Sequence, residues 1–424
     1  MASAPPRDGT AAAWPTLAII LAAGLVLRVL AAFAVQAYAD RLGKPCLFGD
    51  TTIYWELARA IREGRPFVVD QSGVPHHALR TPGYPLFLAA CQILFGERFL
   101  PIRLVQAALG TLGVYFVYRL VDRAVGDRMA AMIAAGLAAV EPYGVGLGAL
   151  VLSEGVFIPL MLAGLWGLSL LWARGDEAPP KRETAIAIGT GIMHGAAILV
   201  RPSWALMVPL LLACWVGFAR SRALRNALLV VAAVAVVMAP WWVRNARVFG
   251  RFVPTALWVG ASLYDGLSPT ATGASDMEFL GEPGIVELDE ASQNATLRRR
   301  AVDFALSHPG RALELAAIKA ARFWSPWPNA ETLRSPLAAW ASAIVTIPLF
   351  ALVALGTWEC RRDGRALVLL LGPLVYFMIL HMIFVSSIRY RIPGFLPALG
   401  LAAVGWKRVV GSATADRLRP DGPQ

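Results

Sequence analysis

The sequence predicts an all-α polytopic membrane protein, on three observations. Of its 424 residues, 57% are hydrophobic and only 16% are charged, whereas soluble domains carry roughly a quarter charged residues. Apolar runs repeatedly reach the roughly 20 residues that cross a bilayer core. The Lys and Arg behind the net charge of +11 gather in short links between alternate runs, which is the positive-inside pattern. That pattern accounts for the basicity without nucleic acid. No basic patch is interleaved with the stacking aromatics that single-strand binding needs.

About ten spans are expected, near 14–38, 98–120, 128–144, 147–173, 184–200, 202–219, 226–243, 335–358, 366–387 and 392–408. The first is longer than the roughly 7–15 residues of a signal-peptide core and reads as an uncleaved anchor. With residues 1–13 in the cytoplasm, the inner links hold Arg119, Arg123 and Arg128; Arg174, Lys181 and Arg182; Arg220, Arg222 and Arg225; and Arg361, Arg362 and Arg365. The tail 409–424 follows Lys407 and Arg408 and adds Arg417 and Arg419. A transmembrane module over 14–243 thus carries a first outer loop at 39–97. A second outer loop, 244–334, has helical spacing over Asp289–Phe304 and Gly310–Trp324, and the spans of 335–408 close the chain. The four cysteines show no CxxC spacing and suggest neither a zinc site nor a disulfide framework.

The first outer loop contains "LFGDTTIYWELARAI". Ile53, Leu57, Ala60 and Ile61 form an apolar stripe opposite Glu56, Arg59 and Arg62, as in an interfacial helix. Asp50 stands just before it. It is placed either to cap the helix or to carry chemistry. Further on, "RTPGYPLFLAACQILFG" sets Arg80 before a proline-punctuated turn and a second apolar helix starting at Pro85. Glu154 in "LVLSEGVFIPL" is expected about seven residues inside the fourth span. A carboxylate there faces a bundle interior or a wet cavity, and Arg28 in the first span is one available partner. Arg201, Arg389 and Arg391 fall on the outer side, against the positive-inside trend, and call for an anionic partner such as a phosphate. Two carboxylates and several arginines at one face suit group transfer from a lipid phosphate. No Walker A or dinucleotide fingerprint appears, so no nucleotide cofactor is expected.

In that order, "FGDTTIYWELARAIREG", "RTPGYPLFLAACQILFG", "IRLVQAALGTLGVYFVYRL", "LVLSEGVFIPL", "WWVRNARVFGRFVP" and "RYRIPGFLP" resemble bacterial members of the protein O-mannosyltransferase-like superfamily. This group includes the aminoarabinose transferases of lipid A and the rhizobial lipopolysaccharide core transferases. The resemblance implies a C-type glycosyltransferase fold, a polyprenyl-phosphate-linked sugar as donor, and transfer on the periplasmic side of the inner membrane to a lipid, glycan or protein acceptor. It implies Asp50 and Glu154 as catalytic residues and Arg80, Arg201, Arg389 and Arg391 as donor-phosphate ligands. Tyr54, Tyr84 and Tyr390 are then expected in the substrate cavity. Thr51 follows Asp50 where some members carry a second acid, so the protein-mannosylating pattern is incomplete. Some relatives hold a divalent metal between two such carboxylates, which makes Asp50 and Glu154 candidate metal ligands. His76 and His77 read more simply as a solvated loop pair. The competing function is a transporter or lipid-carrier flippase using Glu154 and Arg28 as a charge relay, and a non-catalytic scaffold is the third reading. Transporters often show internal repeats, and none is evident here.

Overall fold

The computed structural model describes residues 10–172, 180–219, 221–328 and 336–417. Arg174, Arg220 and Arg419 of the expected inner links and tail lie outside the described residues, as do 1–9, 329–335 and the end of the tail. Helix α1 (Thr10–Arg41) leads into the first loop, where α2 (Gly49–Arg62), an antiparallel hairpin (β1, Val69–Gln71; β2, Val74–His76) and α3 (Gly83–Phe95) follow. The chain then runs through α4 (Phe99–Val125), α5 (Arg128–Val140), α6 (Pro142–Ala149), α7 (Glu154–Leu171), α8 (Pro180–Val200), α9 (Met207–Ala219) and α10 (Ser221–Phe249). The second loop holds α11 (Val259–Gly266), α12 (Pro283–Val286), α13 (Glu290–Ser307) and α14 (Pro309–Phe323). Last come α15 (Pro336–Glu359), α16 (Gly364–Leu370), α17 (Gly372–Ile383) and α18 (Ile388–Arg417).

Among the described residues, six helices are long and apolar enough to cross a membrane, or up to eight when two bent pairs each count as one. The expected ten is therefore not met by length and composition. Four of the ten expected runs make the difference. The run 128–144 breaks after Val140, where Glu141 accepts from the Tyr143 and Gly144 amides and Pro142 opens a new helix; α5 and α6 meet at 51°. The expected ninth span is likewise bent by 51° between α16 and α17. Helix α9 is short, and α18 carries Pro393 and Pro397.

Polar ties mark the two ends of the bundle. At one end, Arg365 Nη2 donates to the Arg123 and Ser169 carbonyls, 2.8 and 3.2 Å away, joining the start of α16 to the ends of α4 and α7. Lys407 pairs with Asp127, whose carboxylate also caps α5. In between, α5 buries Ala130, Ala131, Ala134, Ala135, Ala138 and Ala139, small side chains that let helices approach closely in a membrane protein. Arg28 is buried in this zone and donates to the Ala138 and Ala139 carbonyls at 3.0 and 2.9 Å.

At the other end the second loop lies over the bundle. Buried Lys319 of α14 donates to Gly266 O (3.1 Å) and Ile383 O (2.7 Å), and Arg322 Nε donates to Ser386 O (3.2 Å). These bonds fix the turn between α17 and α18. The two helices expected in this loop are present as α13, capped by Asp289, and α14. Both loops thus occupy one face. Cysteines placed at exposed Ser72 and Ser307 are expected to react with an impermeant maleimide from the same side of the membrane, and a cysteine at Arg362 only from the other; a mixed pattern would contradict the fold.

Candidate active site

Four helix starts and one helix end converge on the loop face, each bringing a charge. Helix α2 begins at Gly49, one residue before Asp50, and its N-cap is Phe48, without a side-chain cap bond. Asp50 is therefore not a cap. It sits in the first turn, where the helix dipole favours an anion. Thr51 Oγ1 donates to Val151 O at 3.0 Å and docks α2 on the turn before α7. Glu154 is the first residue of α7, not a residue seven positions inside a span. The apolar stretch before it forms the separate helix α6 and a turn. Gln106 of α4 shapes that turn, donating to Gly148 O (3.2 Å) and Leu150 O (2.7 Å) while accepting from Tyr84 OH (2.9 Å). Arg201 ends α8, Arg389 opens α18, and Arg80 precedes α3. Gly83 lets these segments meet: a Cβ there would stand 2.5 Å from the Leu199 carbonyl carbon.

The five side chains form an alternating line. Arg80 Nη2 donates to Asp50 Oδ1 at 2.8 Å, and Arg389 Nη1 donates to Asp50 Oδ2 at 2.9 Å. Arg389 continues to Glu154, with Nε on Oε1 and Nη2 on Oε2 at 3.1 Å. Arg201 Nη1 closes the line on Glu154 Oε1 at 2.7 Å. Arg389 thus bridges both carboxylates, and three guanidiniums against two carboxylates leave one formal positive charge. Glu154 is fully buried, and the side chains of Arg80, Arg201 and Arg389 are mostly so. Burial pushes the Asp50 carboxyl up, but the Arg80 and Arg389 charges outweigh it and hold the group well below the usual carboxylate range.

Aromatic rings frame the line. The Arg80 guanidinium lies 5.8 Å from the Tyr54 ring and 5.5 Å from the Trp258 ring. Arg201 and Arg389 stand over Tyr390, at 5.4 and 5.8 Å, and Tyr390 stacks on His381 at 4.2 Å. Tyr54 and Tyr390 therefore adjoin the charges, whereas Tyr84 donates to Gln106. A narrow crevice starts at Glu154 and runs to Arg28 along Gly110, Gly113, Gly144 and Gly148.

Arg391 does not join the site. Two residues along a helix rotate by about 200°, so Arg391 points away from Arg389. It is buried against the Phe350 ring and donates to Phe323 O (2.7 Å) and Ser325 O (2.9 Å). Arg28 is held by backbone carbonyls, and Glu154 takes Arg201 and Arg389 as partners instead. His76 is buried rather than solvated, between Val74 O (2.8 Å) and Gln293 Oε1 (3.2 Å). Trp258, His381 and Ser153 are neighbours of the site that carried no sequence signal, because a lone aromatic or hydroxyl in a loop has no period or charge anomaly to mark it.

Asp50 and Glu154 offer a poor cradle for a divalent cation. Each of their four carboxylate oxygens already accepts from a guanidinium. Among the described residues no group of three or more His, Cys, Asp or Glu side chains gathers as ligands.

Residues 77–243 match the model of a family described as dolichyl-phosphate-mannose-protein mannosyltransferase. That stretch holds Arg80, Glu154 and Arg201; Asp50 and Arg389 lie on either side of it. No curated protein matches the chain. Among solved structures, the oligosaccharyltransferase AglB of Archaeoglobus fulgidus, in complex with an inhibitory peptide and a dolichol-phosphate, matches with TM-score 0.56 at 14% identity, over 97% of this chain and 52% of that one. The fold is that of a C-type glycosyltransferase. The A. fulgidus enzyme in complex with Zn and sulfate matches this C-type fold with TM-score 0.55 at 15% identity, over 95% and 50% of the two chains. ArnT from Cupriavidus metallidurans, bound to undecaprenyl phosphate, gives 0.47 at 17% identity, over 96% and 81%. The present chain spans about half the length of the archaeal enzymes it matches.

Replacing Arg389 by Gln removes the one partner that Asp50 and Glu154 share, leaving each carboxylate a single arginine, Arg80 or Arg201. Removing one partner of a buried ion pair costs about 3–5 kcal/mol. The Arg389→Gln protein is expected to show a lower thermal midpoint in detergent at neutral pH. The gap to the parent narrows as pH falls toward the ordinary carboxylate range. There Asp50 of the variant, left with Arg80 alone, takes up a proton before Asp50 of the parent, which two arginines hold low. A gap independent of pH would contradict the bridging geometry.

Proposed function

We propose that the chain is an integral membrane glycosyltransferase that moves a sugar from a polyprenyl-phosphate donor to a lipid, glycan or protein acceptor on the periplasmic side of the inner membrane. The alternating line Arg80–Asp50–Arg389–Glu154–Arg201, with its one spare positive charge, carries this reading. The family match over 77–243, the C-type fold and the dolichol-phosphate in the AglB complex support the donor class. Basic links at the opposite end of the bundle support the orientation.

The donor is a phosphodiester with one negative charge, which the spare positive charge complements. The phosphate meets Arg80, Arg389 and Arg201, beside the crevice that starts at Glu154. As the guanidiniums turn bonds toward phosphate, Asp50 loses partners and regains the basicity they suppress. The acceptor hydroxyl or amine attacks the anomeric carbon and gives its proton to Asp50. The carbon–oxygen bond to phosphate breaks, and its electron pair stays on the phosphate oxygen, whose growing charge the arginines stabilise. Direct displacement inverts the anomeric centre. Glu154 keeps Arg389 and Arg201 aimed at the phosphate. No step is assigned to a metal, since the carboxylates are already engaged by arginines. A transporter would place such charges along a path through the bilayer; here they cluster where helices begin and end on one face.

Membranes supplied with a radiolabelled polyprenyl-phosphate sugar test this. Asp50 does not cap α2, so Asp50→Asn leaves the helix start intact while removing the base. Transfer is expected to fall by at least about 100-fold, the lower end of general-base contributions. Parent-level transfer by Asp50→Asn would refute the assigned role.

A further inference from the structure

The strand end that presents Arg80 is held by the second loop, far away in sequence. The Glu290 carboxylate accepts from the His77 amide at 2.7 Å and from the Ala78 amide at 2.9 and 3.2 Å. Arg244 Nη1 donates to the His77 carbonyl at 2.6 Å, and the Leu257 amide donates to the Ala78 carbonyl at 2.8 Å. His77 and Ala78 thus each have both the N–H and the C=O bonded. Trp258, next to Leu257, lies against the Arg80 guanidinium itself. Glu290 is 3% exposed and is the first residue of α13, whose N-cap is Asp289. Two successive amides pointing one way need an acceptor with two oxygens and no donor, which is a carboxylate. Glutamine would turn an N–H against one of them.

We infer that Glu290 is a positioning residue for Arg80: its carboxylate fixes the 77–78 peptides and so aims the guanidinium that binds phosphate in the reading above. The inference rests on that reading. A buried carboxylate costs free energy unless hydrogen-bonded, and here the bonds it makes go to the two residues that lead into Arg80. A slackened 77–78 segment lets Arg80 swing between Asp50, Trp258 and solvent. A misaimed guanidinium loses the directional part of its bond to phosphate.

Binding of a sugar-free polyprenyl phosphate to the full-length protein in detergent tests this without knowledge of the sugar or acceptor. Arg80→Gln is expected to weaken binding about tenfold or more, and Glu290→Gln by a similar factor, about 1.4 kcal/mol per tenfold. In the Arg80→Gln background, adding Glu290→Gln is expected to weaken binding no further, because the two act through one contact. Glu290→Asp, which keeps the charge but retracts it by one methylene, is expected to fall between parent and Glu290→Gln. A purely architectural Glu290 would give the same further loss in both backgrounds, which would overturn the inference. Parent-like binding by Glu290→Gln, alongside weak binding by Arg80→Gln, would overturn it while leaving the proposed function standing. A parent that does not bind polyprenyl phosphate would defeat the functional reading and the positioning role together.

Discussion

Arg389 lies between two carboxylates that otherwise repel each other at the edge of a membrane. Its guanidinium gives one arm to Asp50 and two to Glu154. Burying a charge is expensive unless partners repay the lost hydration. Glu154 is wholly buried and Asp50 sits in the first turn of α2, and both are held by arginines. Arg80 and Arg201 close the two ends of the line, and the result is a nearly neutral array with one positive charge to spare. The geometry of α2, α7, α8 and α18 can be viewed as what this one bridging guanidinium requires.

The supporting frame comes from the second loop. On one side, Lys319 and Arg322 of α14 hold the turn that leads into Arg389. On the other, Leu257, Trp258 and Glu290 hold the segment that leads into Arg80. Both arginines that grip Asp50 therefore depend on backbone carbonyls and amides bound from the same 250–325 region. That region behaves as part of the site, not as an appendage of it.

Much of this was legible in the residues. Arginines on the side where basic residues are scarce single out Arg201, Arg389 and Arg391, and an acid inside an apolar run singles out Glu154; roles for Asp50 and Arg80 came from the family resemblance. What stayed hidden has physical reasons. Arg389 and Arg391 share the same chemistry and the same helix end; only the helical rotation between them separates the carboxylate bridge from the internal tie. Asp50 before a good amphipathic stripe looks like a cap, because Gly49 as a helix start carries no signal of its own. The break at Glu141 and the separate helix α6 are disguised by an apolar stretch that continues across both, so Glu154 seemed deep within a span when it opens one. Glu290 acts on backbone amides more than 200 residues away in sequence, and such a pairing has no local pattern.

The most direct measurement is an electron cryo-microscopy structure of the protein with a polyprenyl phosphate bound. The expected result is a phosphate within hydrogen-bond distance, about 2.7–3.2 Å, of the Arg80 and Arg389 guanidiniums, with at least one Asp50 oxygen released to face the cavity. A phosphate seated elsewhere, with the line from Arg80 to Arg201 unbroken, would contradict the assignment of these five residues to the reaction.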